Sequence, residues 1–215
     1  MLKSSIKRIF DILFSVVVLI VLLPLLLICS LTIFLTDRKE IFVKEPLRLG
    51  KKGEFKMYKF RTMIPNAHSE IAKNPKYKEL KKKWQSKDGK LKLSEDPRVT
   101  KIGRILRKTD IDELPQFLNV LKGEMSVVGP RPHMLKHTQQ YNELIDKYML
   151  RHLVKPGITG WAQVTGYRGE TKELSQMEGR VVRDVWYLEH WSFFLDIKII
   201  YQTIVNMFRG EKNAY

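Results

Sequence analysis

Cysteine occurs once in these 215 residues, at Cys29. A single thiol excludes an internal disulfide and any metal site built on clustered cysteines. None of the five histidines stands in an HExxH motif, which removes the usual zinc-hydrolase pattern. There is no GxxxxGKS/T loop and no GxGxxG after a strand, so P-loop and dinucleotide-fold readings fail. No internal repeat is evident. Acidic residues are in short supply: 23 Asp and Glu face 39 Lys and Arg, a net charge of +16. Such an excess favours anionic partners. No helix-turn-helix, RRM or KH pattern is present, so nucleic acid is not the expected one.

Charge is missing altogether from Ile12 to Leu35, a run of 24 residues. About 20 apolar residues suffice to cross a bilayer core. The run is too long for a cleavable signal peptide and lacks a small-residue cleavage site. A straight anchor and a re-entrant helix are the two readings. Pro24 sits mid-run, where it removes a backbone hydrogen bond and clashes with the preceding turn. Basic residues flank both ends, Lys3, Lys7 and Arg8 before and Arg38 and Lys39 after. Positive flanks stay cytoplasmic, so this symmetry gives no crossing direction. A helix that breaks at Pro24 and returns to the same face satisfies both observations. The expected division is therefore a re-entrant membrane helix over 1–40 and a cytoplasmic, membrane-associated domain over 41–215.

Glu40 to Met63 predicts a β-hairpin, with Phe42-Val43 starting one arm, Gly50 to Gly53 as the turn and Phe55 to Phe60 as the return arm. From Lys73 to Lys101, eleven Lys or Arg stand against four Asp or Glu. That run reads either as a solvated face or as a dock for anionic lipid headgroups. Helical spacing runs from Thr100 to Ile111. Pro115 opens a further short helix to Leu121, which Gly123 ends. Met125 to Val128 predicts a strand, His137 to Leu153 a helix, Lys155 to Gly169 a glycine-rich loop with a short strand, Glu173 to Trp186 a helix, and Ser192 to Phe208 an apolar helix. The last is too polar to span, and suits either a core or the membrane interface. The fold class is α+β, mainly helical, with a small hairpin and amphipathic interfacial helices.

Asp112 and Glu113 lie three and two residues before Pro115. If helical, they project about 100° apart, so one can approach a substrate while the other holds a cation. Magnesium takes carboxylate, water and phosphate oxygens, and a carboxylate can attack phosphorus to form an acyl phosphate. An acid pair at a helix start is also an ordinary cap. Arg104, Arg107 and Lys108 lie upstream, and Lys59 and Arg61 end the hairpin. Arg131 is fixed between Pro130 and Pro132 and suits two phosphate oxygens at once.

These residues carry a resemblance. KRIFD (Lys7–Asp11), the Pro-broken apolar run, YKFRTM (Tyr58–Met63), DPRVTKIGRILRKT (Asp96–Thr109), DELPQFLNVLKGEMSVVGPRP (Asp112–Pro132), KPGITGWAQV (Lys155–Val164) and LDIKII (Leu195–Ile200) stand in the order of the bacterial sugar transferases. These are monotopic polyprenyl-phosphate phosphoglycosyl transferases. The resemblance implies a re-entrant helix in the bacterial inner membrane and a catalytic domain on its cytoplasmic face. It implies transfer of a sugar-1-phosphate from a UDP-sugar to polyprenyl phosphate, releasing UMP, as the first membrane step of polysaccharide assembly. By this match Asp112 is the nucleophile and forms a phosphosugar–aspartyl intermediate. Glu113, with Asp112, holds Mg2+. Lys59, Arg61, Arg107 and Arg131 contact phosphates, and Asp184 lines the site. GYRGET (Gly166–Thr171), MEGRVVRDVWYLEHWS (Met177–Ser192) and the terminal NAY (Asn213–Tyr215) are similar to the undecaprenyl-phosphate glucose phosphotransferases, which favours UDP-glucose.

The sequence departs from the family at Leu23, where serine often precedes the proline, and over Lys44 to Gly50. It shows none of the extra N-terminal membrane helices and the further domain that glucose-type members often carry, so whatever those parts do is expected to be absent or supplied by a partner. UDP-galactose, a UDP-N-acetylated sugar, or a non-catalytic membrane-tethered anion-binding protein are the alternatives. Anionic membrane lipids are expected partners, and a homo-oligomer is left open.

Overall fold

The computed structural model describes residues 2–67, 82, 96–169 and 173–209. Much of the lysine-rich run, the Glu170–Lys172 stretch and the NAY terminus therefore lie outside the described residues. The fold is α+β and mainly helical. Contacts divide it into two compact units: Met1–Pro24, Lys44–Tyr58 and Pro115–Ala214 bound the first, Leu25–Val43 with Lys59–Leu114 the second.

The apolar run forms α1 (Leu2–Val21) and α2 (Leu23–Asp37). Among the described residues no single helix is long and apolar enough to cross a membrane, but the pair Ser5–Val21 and Leu23–Asp37, bent by 63°, passes by length and composition. The break falls at Leu22, not at Pro24. Pro24 is the second residue of α2, where a helix has no intrahelical use for the missing N–H, so the proline starts the second helix as it ends the first.

In the first unit, one polar turn of α1 docks the helix. Lys7 Nζ donates to Asp196 Oδ2 (2.6 Å) and Tyr187 Oη (3.2 Å). Arg8 Nη1 and Nη2 donate to the carbonyls of Val120 and Leu121. Those carbonyls end α4 (Gln116–Lys122), where a cation complements the helix dipole. Asp11 accepts from Ser126 Oγ and the Val127 amide, both at 3.0 Å. Flanking bases that sequence reading assigned to membrane topology are thus also bound into the fold. Strands β3 (Ser126–Val128) and β4 (Gly157–Thr159) pair in parallel, Ser126 opposite Gly157 and Val128 opposite Thr159. Glycine is needed at the crossing: a Cβ on Gly157 would stand 2.1 Å from the Gly129 amide nitrogen.

The hairpin is β1 (Phe42–Gly50) and β2 (Gly53–Phe60), close to its predicted arms. Fully buried Asn119 holds β2, accepting from the Tyr58 amide (2.9 Å) and donating to the Lys56 carbonyl (2.8 Å). The helix predicted over 137–153 is instead α5 (Leu135–Leu144) followed by a 3-10 turn over Tyr148–Leu153. Ile145 is extended and Lys147 has φ 62. This kink buries Ile145 and Tyr148 against Met177 and Val181 of α6 (Leu174–Glu189), a gain that helical spacing alone does not reveal. A final helix, α7 (Phe193–Arg209), buries Asp196 and Ile199 and exposes Phe194, Ile197, Tyr201, Ile204 and Phe208. These sit at the 3–4-residue spacing of one amphipathic stripe.

In the second unit, α3 (Lys101–Lys108) starts at Thr100, whose hydroxyl accepts from the Gly103 amide. Cys29 and Ile33 of α2 pack with Phe60 and Leu106 in one cluster, joined by Ile102 and Ile111. The second half of the apolar run therefore helps form the core on which the Asp112 turn stands.

Candidate active site

Asp112 and Glu113 occupy a 3-10 turn, Ile111–Glu113, in the second unit. Its local cause is legible: Asp110 adopts a left-handed conformation (φ 56), which stops α3, and the tight turn precedes Pro115. Both carboxylates are buried, at 6 % and 8 % exposure. Glu113 Oε1 pairs with Lys59 Nζ at 3.0 Å. Arg107 Nε donates to Thr62 Oγ1 at 2.9 Å, placing its guanidinium beside the same turn. Asp112 Oδ1 has no hydrogen-bond partner among the described residues.

The Asp112 carboxyl is pushed up from 3.8 to about 6. Burial is the main cause, with the Glu113 and Asp110 charges adding to it, and Lys59 and Arg107 pulling the other way. At neutral pH it is largely ionised, under-solvated and without a partner at Oδ1, the state that a nucleophile or a metal ligand requires. Among the described residues no three His, Cys, Asp or Glu cluster as a metal cage. Magnesium rarely uses one, binding through one or two carboxylates, waters and substrate phosphate. The unpartnered Asp112 oxygen and adjacent Glu113 fit that mode.

Arg61 lies in this unit, but four of its five N–H groups are occupied. Nη2 and Nη1 grip Asp37 Oδ1 and Oδ2 (2.5 and 2.6 Å), Nε donates to the Glu40 carbonyl (2.5 Å), and Nη1 also reaches the Met63 carbonyl (3.3 Å).

Arg131 and Asp184 belong to the first unit. Arg131 Nη1 reaches Gln163 Oε1 at 3.4 Å, and the Arg131 carbonyl accepts from Arg151 Nη2 at 2.8 Å. Asp184 is buried and gripped by Arg151 through Nε (3.0 Å) and Nη2 (2.7 Å). Arg151 Nη1 and Tyr148 Oη lie 2.6 and 2.7 Å from His133 Nδ1, and Arg180 Nη1 lies 3.4 Å from His133 Nε2. Burial, and then the Arg151, Arg180 and Arg131 charges, hold His133 well below its ordinary pKa, so it is neutral. Sequence reading singled out Arg131 and Asp184 but missed Arg151, Arg180 and His133. Arg180 stood within the MEGRVVRDVWYLEHWS stretch and His133 next to Pro132, whereas Arg151 had no such hint.

The chain belongs to the bacterial sugar transferases, whose sequence profile matches residues 2–210. It is 43% identical over 212 residues to the UDP-glucose:undecaprenyl-phosphate glucose-1-phosphate transferase of Escherichia coli (strain K12), covering 97% of this chain and 41% of that protein. It is 40% identical over 212 residues to the exopolysaccharide production protein PSS of Rhizobium leguminosarum bv. phaseoli, covering 95% of this chain and 96% of that protein. A UDP-N-acetylgalactosamine-undecaprenyl-phosphate N-acetylgalactosaminephosphotransferase of Aeromonas hydrophila is 36% identical over 208 residues, covering 96% of this chain and 44% of that protein. The chain spans about two fifths of the length of the UDP-glucose:undecaprenyl-phosphate glucose-1-phosphate transferases of Escherichia coli, Klebsiella pneumoniae and Xanthomonas campestris.

Proposed function

We propose that this chain transfers glucose-1-phosphate from UDP-glucose to undecaprenyl phosphate, releasing UMP, at the cytoplasmic face of a bacterial inner membrane. The observation that carries the reading is the buried Asp112 carboxylate, unpartnered at Oδ1, beside Glu113, Lys59 and Arg107. Its identity with relatives named for UDP-glucose, at 43% and 41%, supports the donor.

In this reading Asp112 attacks the β-phosphorus of the donor. A bond forms between its carboxylate oxygen and phosphorus, the bond to the oxygen bridging the two phosphates breaks, and UMP leaves. An oxygen of the lipid phosphate then attacks the same phosphorus and displaces Asp112, giving a lipid-linked diphosphate sugar. Mg2+, held by Glu113 with Asp112, would supply charge neutralisation to the phosphates. Lys59 holds Glu113, Arg107 is oriented by Thr62, and both meet the negative charge of the donor. Arg131, its backbone fixed by two prolines, contributes a planar fork for phosphate. Buried Asp184 holds Arg151, which in turn holds the Arg131 carbonyl. Anionic lipids are attracted by the net charge of +16.

The membrane part of the reading is a re-entrant helix: α1 enters, turns at Leu22 and returns through α2. Cysteines placed at Ser4 and Lys39 should then both react with an impermeant reagent from the cytoplasmic side only, and labelling from opposite sides would establish a straight span. For the reaction, UMP release is measured with undecaprenyl phosphate, Mg2+ and a panel of UDP-sugars. UDP-glucose should be turned over fastest. Preference for an N-acetylated sugar, the reading favoured by the Aeromonas relative, would move the assignment of the sugar. No UMP from any donor would leave a membrane-tethered anion-binding protein.

A further inference from the structure

Arg61 stands in the segment that ends β2, and each residue of Lys59–Thr62 reaches a different support. Lys59 pairs with Glu113, and Phe60 packs in the cluster with Cys29, Ile33 and Leu106. Thr62 accepts from Arg107 through its hydroxyl and from the Thr100 amide through its carbonyl. Arg61, 6 % exposed, reaches the end of α2: its side chain forks onto Asp37 and the Glu40 carbonyl, and its amide donates to the Ile41 carbonyl at 2.8 Å. Asp37 is an acid at the C-terminal end of a helix, where the dipole disfavours it. A bidentate guanidinium is the partner that offsets this cost.

The geometry points to Arg61 as a positioning residue: with Asp37 it buckles the returning membrane helix to the strand that presents Lys59 to Glu113 and Thr62 to Arg107. It does not serve as a phosphate ligand. A phosphate would have to displace a carboxylate and two carbonyls to take its fork. The inference rests on the proposed transferase reading for its link to turnover, but the buckle itself does not.

The test compares Arg61→Ala, the isosteric Asp37→Asn and their combination in nanodiscs. In UMP-release kinetics, each single change should lower kcat about ten-fold or more and leave KM for the UDP-sugar within about two-fold. The double variant should be no more than about three-fold worse than either, because both remove one interaction. Arg61→Lys should fail to rescue, since one ammonium cannot span both Asp37 oxygens and the Glu40 carbonyl, while Asp37→Glu should recover most of kcat. A ten-fold rise in KM on Arg61→Ala, with Asp37→Asn near wild type, would overturn the inference and make Arg61 a phosphate ligand. Unchanged kinetics in both singles would also overturn it. Amide hydrogen exchange without substrate decides the matter independently: the Arg61 and Thr100 amides should exchange faster in Asp37→Asn, and unchanged protection there refutes the buckle. If the wild-type chain releases UMP from no UDP-sugar, the transferase reading fails, and the exchange result still judges the buckle.

Discussion

Replacing Asp112 with Asn should abolish turnover and at the same time stabilise the fold. The carboxyl titrates at about 6 in the folded chain against 3.8 when free, chiefly because it is buried. The folded state therefore holds more protons than the unfolded one between those values, and stability falls as pH rises from about 4 to about 6. Above about pH 7 the whole penalty is present. At 1.36 kcal/mol per pH unit the gap corresponds to about 3 kcal/mol. Asn carries no charge to desolvate, but it brings an amide that must find its own partners, so the measured gain should be about 1–3 kcal/mol. For a chain of this size that is a rise in apparent Tm of about 3–10 °C. Thermal unfolding in nanodiscs with chelator, at pH 8 and at pH 4, reads it: a clear gain at pH 8 and almost none at pH 4. Mg2+ should narrow the gap at pH 8, because a cation stabilises the Asp112 carboxylate and has less to hold in the variant. An Asp112→Asn chain no more stable than wild type at pH 8 would refute the premise that the ionised carboxylate is strained by burial.

The same carboxylate should give UMP release an acidic limb near pH 6, rate falling as pH drops, and higher Mg2+ should move that limb to lower pH; chelator should stop the reaction. Lys59→Met removes the strongest cation acting on Asp112, so the limb should move up by about one pH unit in the pH–rate profile, and an unmoved limb would count against Lys59 as its neighbour in solution. Gly103→Ala should displace α3, since the new Cβ would stand 2.0 Å from the Thr62 carbonyl oxygen. A loss of about 1–3 kcal/mol in thermal or denaturant unfolding is expected, with loss of activity as Arg107 leaves Thr62.

Much of this was legible from residue patterns. The hairpin followed from alternating apolar residues around Gly50 and Gly53, and the α4 helix from Pro115 and Gly123, because turn chemistry is local. The acid pair stood out through the basic residues around it and the family resemblance, since two acids alone read equally as a helix cap. What was not legible depended on distant partners. The kink at Ile145 follows from burial against α6, and the place of the break between α1 and α2 from how α2 starts rather than from proline alone. Arg107 lies five residues before Asp112, yet it bonds Thr62, 45 positions away, and Arg61 bonds Asp37, 24 positions away. Nothing in composition distinguishes a cation bound to a carboxylate from one awaiting a phosphate.

That distinction is made by what each cation already holds. Arg61 has four N–H groups on Asp37, Glu40 and Met63, so its binding capacity is used within the fold. Lys59 shares one carboxylate with Glu113 and is partly exposed, which leaves its rotatable ammonium able to turn to a second anion. Arg107 gives one N–H to Thr62, a neutral hydroxyl that orients the guanidinium without neutralising it. Negative charge entering beside Asp112 therefore meets Lys59 and Arg107 before Arg61. A site holding two buried carboxylates repels a diphosphate unless such cations, and the metal the acids would hold, outweigh them. In the proposed reaction Glu113 would thus have two uses: it keeps Lys59 at the turn in the resting chain, and it would offer an oxygen to a cation once the donor's phosphates drew Lys59 away.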